Sequence, residues 1–236
     1  MIDVSEWTNE PGKPVRIWEG DCLDLMAAMP DGCVSWCYAD PRYNARMDYG
    51  MGESDDTPWP EWASWLDERI REMERVSQGL VLVSVSVTGL LAFTEHVRRP
   101  TWVASWHKPW SSGVRVGGSP WLPHWEPVMQ FGRAWGEGGR VPDYYLSDVL
   151  RANPAPAKRS FHPCPKPEGL IGQLVAAIPG DLILDPFLGS GTTAVVCDRL
   201  GRRWMGAEIN PEYVQMATER IMRAREQLRL PLEVGT

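Results

Sequence analysis

The order of apolar and polar positions predicts short strands alternating with amphipathic helices. VRIW (15–18) reads as a strand, followed by a short helix near 22–29. VSWCYA (34–39) is a second strand, ending on Asp40. In EWASWLDERIREMERV (61–76), Trp62, Trp65, Leu66, Ile70 and Met73 recur at helical spacing, which predicts a helix with one buried face. GLVLVSVSV (79–87) is a continuous apolar run and predicts a buried strand. TWVASW (101–106) and WEPVMQFG (125–132) predict two more. A helix opens at Pro167 and Glu168, with Leu170, Ile171, Leu174, Val175 and Ile178 on one face; proline suits a first helical position. LILD (182–185) is a strand, FLGSG a turn, TTAVVCDRL (192–200) a helix closed by Gly201, and RWMGAE (203–208) the next strand. A last helix follows Asn210 and Pro211. This alternation predicts an α/β domain with a mostly parallel sheet and helices on both faces. Residues 44–60 and most of 107–160 lack periodicity, and loops that long are usually functional.

The segment LILDPFLGSGTTA carries the first chemistry. Gly189 and Gly191 let the backbone turn tightly and approach a ligand with no Cβ in the way. Glu208 ends the following strand, where a carboxylate can accept both hydroxyls of a ribose. GSGTTA also satisfies the dinucleotide fingerprint G-x-G-x-x-A, so spacing alone leaves open a nicotinamide-dependent oxidoreductase. Asp185 at the strand tip, followed by Pro186 and Phe187, better suits a cationic, methionine-containing cofactor such as S-adenosylmethionine, because a dinucleotide presents its pyrophosphate there. Only one helix follows Glu208. A doubly wound sheet needs one more strand, and the spare one is VRIW, with Gly20 and Asp21 at its tip. The chain therefore reads as a circular permutation, with the nucleotide half split between its two ends and Asp21 near the adenine.

Asp40, Pro41, Arg42, Tyr43 and Asn44 follow the second strand, at the edge of the sheet where α/β proteins bind ligands. An acid and a proline carbonyl can each accept an N–H from an amino group, and Tyr43 can stack on the ring that bears it. The same residues could also form a simple Asx-Pro turn.

Composition changes this picture little. The chain has 236 residues, enough for one domain (1–236), and a formal net charge of −7. An acidic protein is an unusual nucleic-acid binder. Residues 98–160, however, hold nine Lys/Arg against four Asp/Glu, a basic segment on an acidic body. The thirteen tryptophans are read mainly as packing. Five irregularly spaced cysteines suggest reduced thiols and no metal site. The absence of a signal peptide and of any long apolar run points to a cytoplasmic protein with no membrane span.

These motifs together resemble the amino-methyltransferases of DNA, in the permuted group that places its catalytic motif first. DPRYN resembles their DPPY motif. LDPFLGSGTT with AEINPEY looks like their cofactor motifs, HPCPKP (162–167) like the segment before the cofactor strand, and EGDCLDLM (19–26) and WEPVMQFG like further family segments. The resemblance implies a Rossmann-like, doubly wound, seven-stranded sheet and methylation of an exocyclic amino group in double-stranded DNA. An acidic first residue in the tetrad favours adenine; cytosine is the alternative. By position, Asp40, Pro41 and Tyr43 hold the flipped base. Asp21, Cys22, Asp40, Lys166, Pro167, Asp185, Phe187, Gly189, Ser190, Gly191, Thr192, Thr193 and Glu208 serve the cofactor. Arg42, Arg46, Lys108, Arg115, Arg133, Arg140, Lys158 and Arg159 are expected DNA contacts, most of them in a small target-recognition insertion at about 107–160. So small an insertion suggests a short target site or a homodimer. One residue departs from the pattern: Arg42 stands where the family has proline. A following proline holds its predecessor extended. Without it, the Pro41 carbonyl loses a restraint, and a catalytically impaired DNA-binding relative is a second expectation.

Overall fold

In the computed structural model of the chain, residues 2–47, 55–109, 121–132, 146–154 and 165–229 are described. Their strands are β1 (Trp18–Glu19), β2 (Trp36–Ala39), β3 (Leu80–Ser84), β4 (Trp102–His107), β5 (Trp125–Gly132), β6 (Val149–Arg151), β7 (Leu182–Asp185) and β8 (Arg203–Glu208). Their helices are α1 (Val4–Trp7), α2 (Cys22–Ala28), α3 (Trp59–Val76), α4 (Val87–His96), α5 (Glu168–Ala177), α6 (Thr192–Arg199) and α7 (Pro211–Arg229). The eight strands form one sheet in the order β1-β8-β7-β2-β3-β5-β4-β6. Only β5 runs against its neighbours; every other pairing is parallel.

Both faces of the sheet are buried, and the alternation along β2 shows how. Cys37 and Ala39 join a cluster with Leu25 and Met26 of α2, Leu66, Ile70 and Met73 of α3, and Phe93 of α4. Trp36 and Tyr38 point the other way, among Leu170 and Leu174 of α5, Val195 of α6 and Ile221 of α7. Strand side chains alternate faces, so a strand with apolar residues at every position must be covered twice.

The first strand lies beside the last, Trp18 opposite Ala207 and Glu19 opposite Glu208, as the permuted reading requires. The ladder is shorter than VRIW because the buried Asn9 intervenes. Its side chain donates to the Arg16 carbonyl at 2.7 Å and accepts from the Arg16 amide at 2.8 Å. Its main chain bridges to Trp204 instead.

Two elements escape the sequence pattern. The apolar run after β3 continues through Val87–His96, but this stretch is helix α4, started by the Ser86 side chain accepting from the Gly89 amide. Strand β6 is three residues long and exists through its pairing with β4, which makes the sheet eight-stranded rather than seven-stranded. Pro167 caps α5 from outside the helix, with extended backbone, rather than occupying its first turn.

Strand order reverses between β7 and β2. From β7 the chain moves through α6 to β8 on one side; from β2 it moves through α3 to β3 on the other. The carboxyl ends of these two neighbours splay their following turns apart and open a crevice, the general ligand position of doubly wound sheets. Asp185 ends β7 and Asp40 follows β2, so the two motifs flank this crevice.

Candidate active site

The cofactor turn is built from the ends of β7 and β8. Gly189 and Gly191 both have positive φ, 51° and 78°. The Gly189 amide donates to Glu208 Oε2 at 2.8 Å, and the Asn210 amide donates to Oε1 of the same carboxylate at 2.9 Å. Glu208 therefore braces the turn, and each of its oxygens keeps a lone pair for another donor. Asp185 accepts from the Phe187 amide at 3.0 Å. Burial lifts its pKa to about 7, against a Thr193 hydrogen bond that lowers it, with the nearby Asp40 and Glu208 charges adding to the rise. Burial likewise pushes Glu208 up. Neighbouring carboxylates disfavour an incoming pyrophosphate and favour an incoming cation. The turn thus fits a sulfonium cofactor better than a dinucleotide.

The remaining expected cofactor residues divide. Asp21 caps α2 by accepting from the Leu23 amide at 2.9 Å and pairs with the buried Arg69 at 2.9 Å. Cys22 is buried, and loss of solvent pushes its thiol up to about 12. Ser190 and Thr192 face inward: Arg220 of α7 donates to the Ser190 carbonyl at 3.0 Å and to the Thr192 hydroxyl at 3.0 Å. Gly191 starts α6, and a Cβ there would lie 3.2 Å from the Ala217 Cβ; its smallness serves the packing of α6 on α7. Lys166 is turned away from the glycine turn and toward Asp40.

Asp40 continues the alternation of Trp36 and Tyr38, so it faces the layer of α5. There it meets Lys166, which stands just before that helix, with Nζ to Oδ1 at 2.8 Å. The same ammonium lies 3.7 Å from Glu126 of β5 and 4.7 Å from the centre of the Tyr43 ring. Tyr43 donates its hydroxyl to Glu126 at 3.2 Å. Lys108 pairs with Glu126 and sits over Trp106, 4.7 Å from the ring centre. Two carboxylates, two ammoniums and a tyrosine are thereby joined at the end of β2. Burial raises the Asp40 pKa even though Lys166 opposes the shift. Glu126 is held low, because Lys166 and Lys108 together outweigh its burial.

Among the described residues expected to contact DNA, Lys108 is buried against Glu126. The Arg42 guanidinium lies over the Trp65 ring at 4.6 Å. Arg46 is exposed, with Asp56 at 3.1 Å. Arg115, Arg133, Arg140, Lys158 and Arg159 lie outside the described residues. Sequence reasoning did not single out Glu126, Trp106 or Arg69. The one charged residue in WEPVMQF was the available signal for Glu126.

Known proteins resemble this chain in sequence and in fold. A family model described as DNA methylase matches residues 124–219, from just before β5 into α7. The DNA adenine methyltransferase YhdJ of Escherichia coli (strain K12) is 29% identical over 87% of this chain and 82% of its own. The type II methyltransferase M.HpaI of Haemophilus parainfluenzae is 26% identical over 87% of this chain and 74% of its own. The chain is thus similar in sequence to DNA methyltransferases over most of its length. Solved structures of the same fold superpose over most of the molecule. The cytosine-N4-specific PvuII DNA methyltransferase has a TM-score of 0.66 at 16% identity, covering 93% of this chain and 94% of its own. A DNA modification methylase from Thermus thermophilus, complexed with S-adenosyl-L-methionine, has a TM-score of 0.61 at 23% identity, covering 89% and 93%. DPRYN lies outside the matched family span, so its assignment rests on position in the fold. Among the described residues no helix is long and apolar enough to cross a membrane, and no group of His, Cys, Asp and Glu could hold a metal ion.

Proposed function

We propose that this chain transfers a methyl group from S-adenosylmethionine to the exocyclic amino group of adenine in duplex DNA. The observation that carries the reading is the position of Lys166. Its ammonium pairs with Asp40 while lying against the Tyr43 ring, so this seat already accommodates a nitrogen cation above an aromatic face. A flipped adenine presents the same combination of N–H donor and ring.

The family relationship and the fit of the turn to a cation support S-adenosylmethionine as the cofactor. Asp185, Phe187, Gly189, Glu208 and Asp21 are the residues that would hold it, Glu208 by accepting from the ribose hydroxyls. When bound, S-adenosylmethionine supplies an electrophilic methyl carbon. The chain's part is positioning. Asp40 and the Pro41 carbonyl each accept one amino N–H, which turns the nitrogen lone pair toward the methyl group, and Tyr43 stacks on the base. The amino proton is released to water after transfer, so no side chain need act as a strong base.

Adenine is preferred because the tetrad opens with an acid and because the DNA adenine methyltransferase matches nearly the whole chain. Residues 1–236 act as one catalytic domain, with the segment of about 107–160 reading the target site. Labelled methyl transfer to unmethylated genomic DNA, with the product nucleosides resolved, tests the reading. N6-methyladenine is expected. Methylated cytosine would keep the mechanism and change the base, and cofactor binding without transfer to any DNA would identify an impaired relative.

A further inference from the structure

We infer that two tryptophans of α3, Trp62 and Trp65, are positioning residues that hold the DPRYN turn in its working geometry. The inference rests on the reading of that turn as the seat of the target amino group. The Pro41 carbonyl can orient an amino group only if the peptide after it is fixed. A proline at position 42 would restrict Pro41 to extended backbone by a clash at its Cδ. Arg42 imposes no such clash, so the restraint has to come from elsewhere.

Helix α3 supplies it through two contacts. The Trp62 indole N–H donates to the Arg42 carbonyl at 3.0 Å. Trp62 is only 1% exposed, so water does not compete for that carbonyl. Its ring fits against Gly89, where a Cβ would come within 3.0 Å of it, and Trp59 packs edge-on at 5.3 Å. Three residues on, and hence on the same side of the helix, Trp65 takes the Arg42 guanidinium over its ring at 4.6 Å. The same ring receives Arg69 at 4.3 Å and meets Phe187 of the cofactor turn at 5.8 Å. Arg69 is itself anchored by Asp21. Trp65 therefore stands where the amino-group turn, the cofactor turn and the cap of α2 converge. With the backbone pinned by Trp62 and the side chain by Trp65, residue 42 is held at both ends, and the peptide following Pro41 is fixed without a proline.

The test is a double-mutant cycle read in single-turnover methyl transfer and in the cofactor dissociation constant. Trp62→Phe keeps an aromatic ring and removes the N–H. In the natural chain it should slow transfer at least tenfold, about 1.4 kcal/mol of lost orientation, while the cofactor constant moves by less than about twofold. In an Arg42→Pro background, where the proline supplies the restraint, the same change should cost less than about threefold. Equal losses in both backgrounds would mean a general structural role and overturn the inference. So would no loss in the natural chain, or an Arg42→Pro protein that transfers no methyl. Should Trp62→Phe fail to fold, as judged by thermal unfolding, Trp65→Leu carries the same comparison, since that ring is only half-buried. A natural chain that methylates no DNA defeats the underlying reading together with this one. An active chain indifferent to Trp62 and Trp65 defeats this one alone.

Discussion

Asp40 and Lys166 form an ion pair of 2.8 Å across the floor of the site, although they belong to segments far apart in the chain. Asp40 is there because β2 directs alternate residues toward α5; Lys166 is there because it closely precedes that helix. The pair sets the charge of the carboxylate. Burial pushes the Asp40 pKa up, and Lys166 is the main influence against it.

Lys166→Met should therefore move the acidic limb of the pH–rate profile for methyl transfer upward. An ionised Asp40 accepts an N–H more strongly than a protonated one. Without the ammonium, burial is no longer opposed, and protonation extends to higher pH. The variant should be slowest at low pH and recover as pH rises. A profile that keeps its shape would mean that Lys166 acts on something other than Asp40.

Asp40→Ala should reduce methyl transfer by about a thousandfold or more, as loss of a positioning contact at the reacting group does. Cofactor affinity, measured by calorimetry, should change by less than about threefold. Joint loss of turnover and binding would show that Asp40 belongs to the cofactor site as well.

Glu208 accepts from the amides of both Gly189 and Asn210. Glu208→Ala strips two buried donors of their partner and should destabilise the fold by about 1–3 kcal/mol. Cofactor affinity should fall at least tenfold. Urea unfolding and cofactor titration read the two effects separately. Unchanged affinity would remove Glu208 from the cofactor site.

Asp185 links stability to pH. Its carboxyl has a folded pKa of about 7 against an ordinary 3.8. The folded state therefore binds the proton more tightly than the unfolded chain does. The stability associated with this group is full below pH about 4 and is lost as pH rises through 7, by up to about 4 kcal/mol at roughly 1.4 kcal/mol per unit. Asp185→Asn should flatten the urea-unfolding free energy across that window. An unchanged slope would place the titration on another group.

Much of this protein was legible in its residues. The turns at 185–193 and 40–44 announced themselves by local chemistry, because glycines at a strand end and an Asp-Pro-aromatic run have few other uses together. The permuted order followed from counting strands on either side of Glu208, and β1 does pair with β8. Helix α4 was hidden because VTGLLAF follows an apolar strand with only small Ser and Thr between its apolar residues, and a short apolar run does not distinguish a buried strand from a buried helix. Strand β6 was hidden because three residues carry no period; the edge of β4 makes them a strand.

The order of residues is enough to give the layers, the two motifs and the class of chemistry, all of which depend on the spacing of neighbours along the chain. Which charges meet depends on how distant segments pack. Nothing local joins Lys166 to Asp40, Glu126 to Tyr43 and Lys108, or Arg42 to Trp65. Those contacts arise because β2, β5, α3 and the start of α5 converge on one crevice, and burial there forces each charge or ring to find its partner.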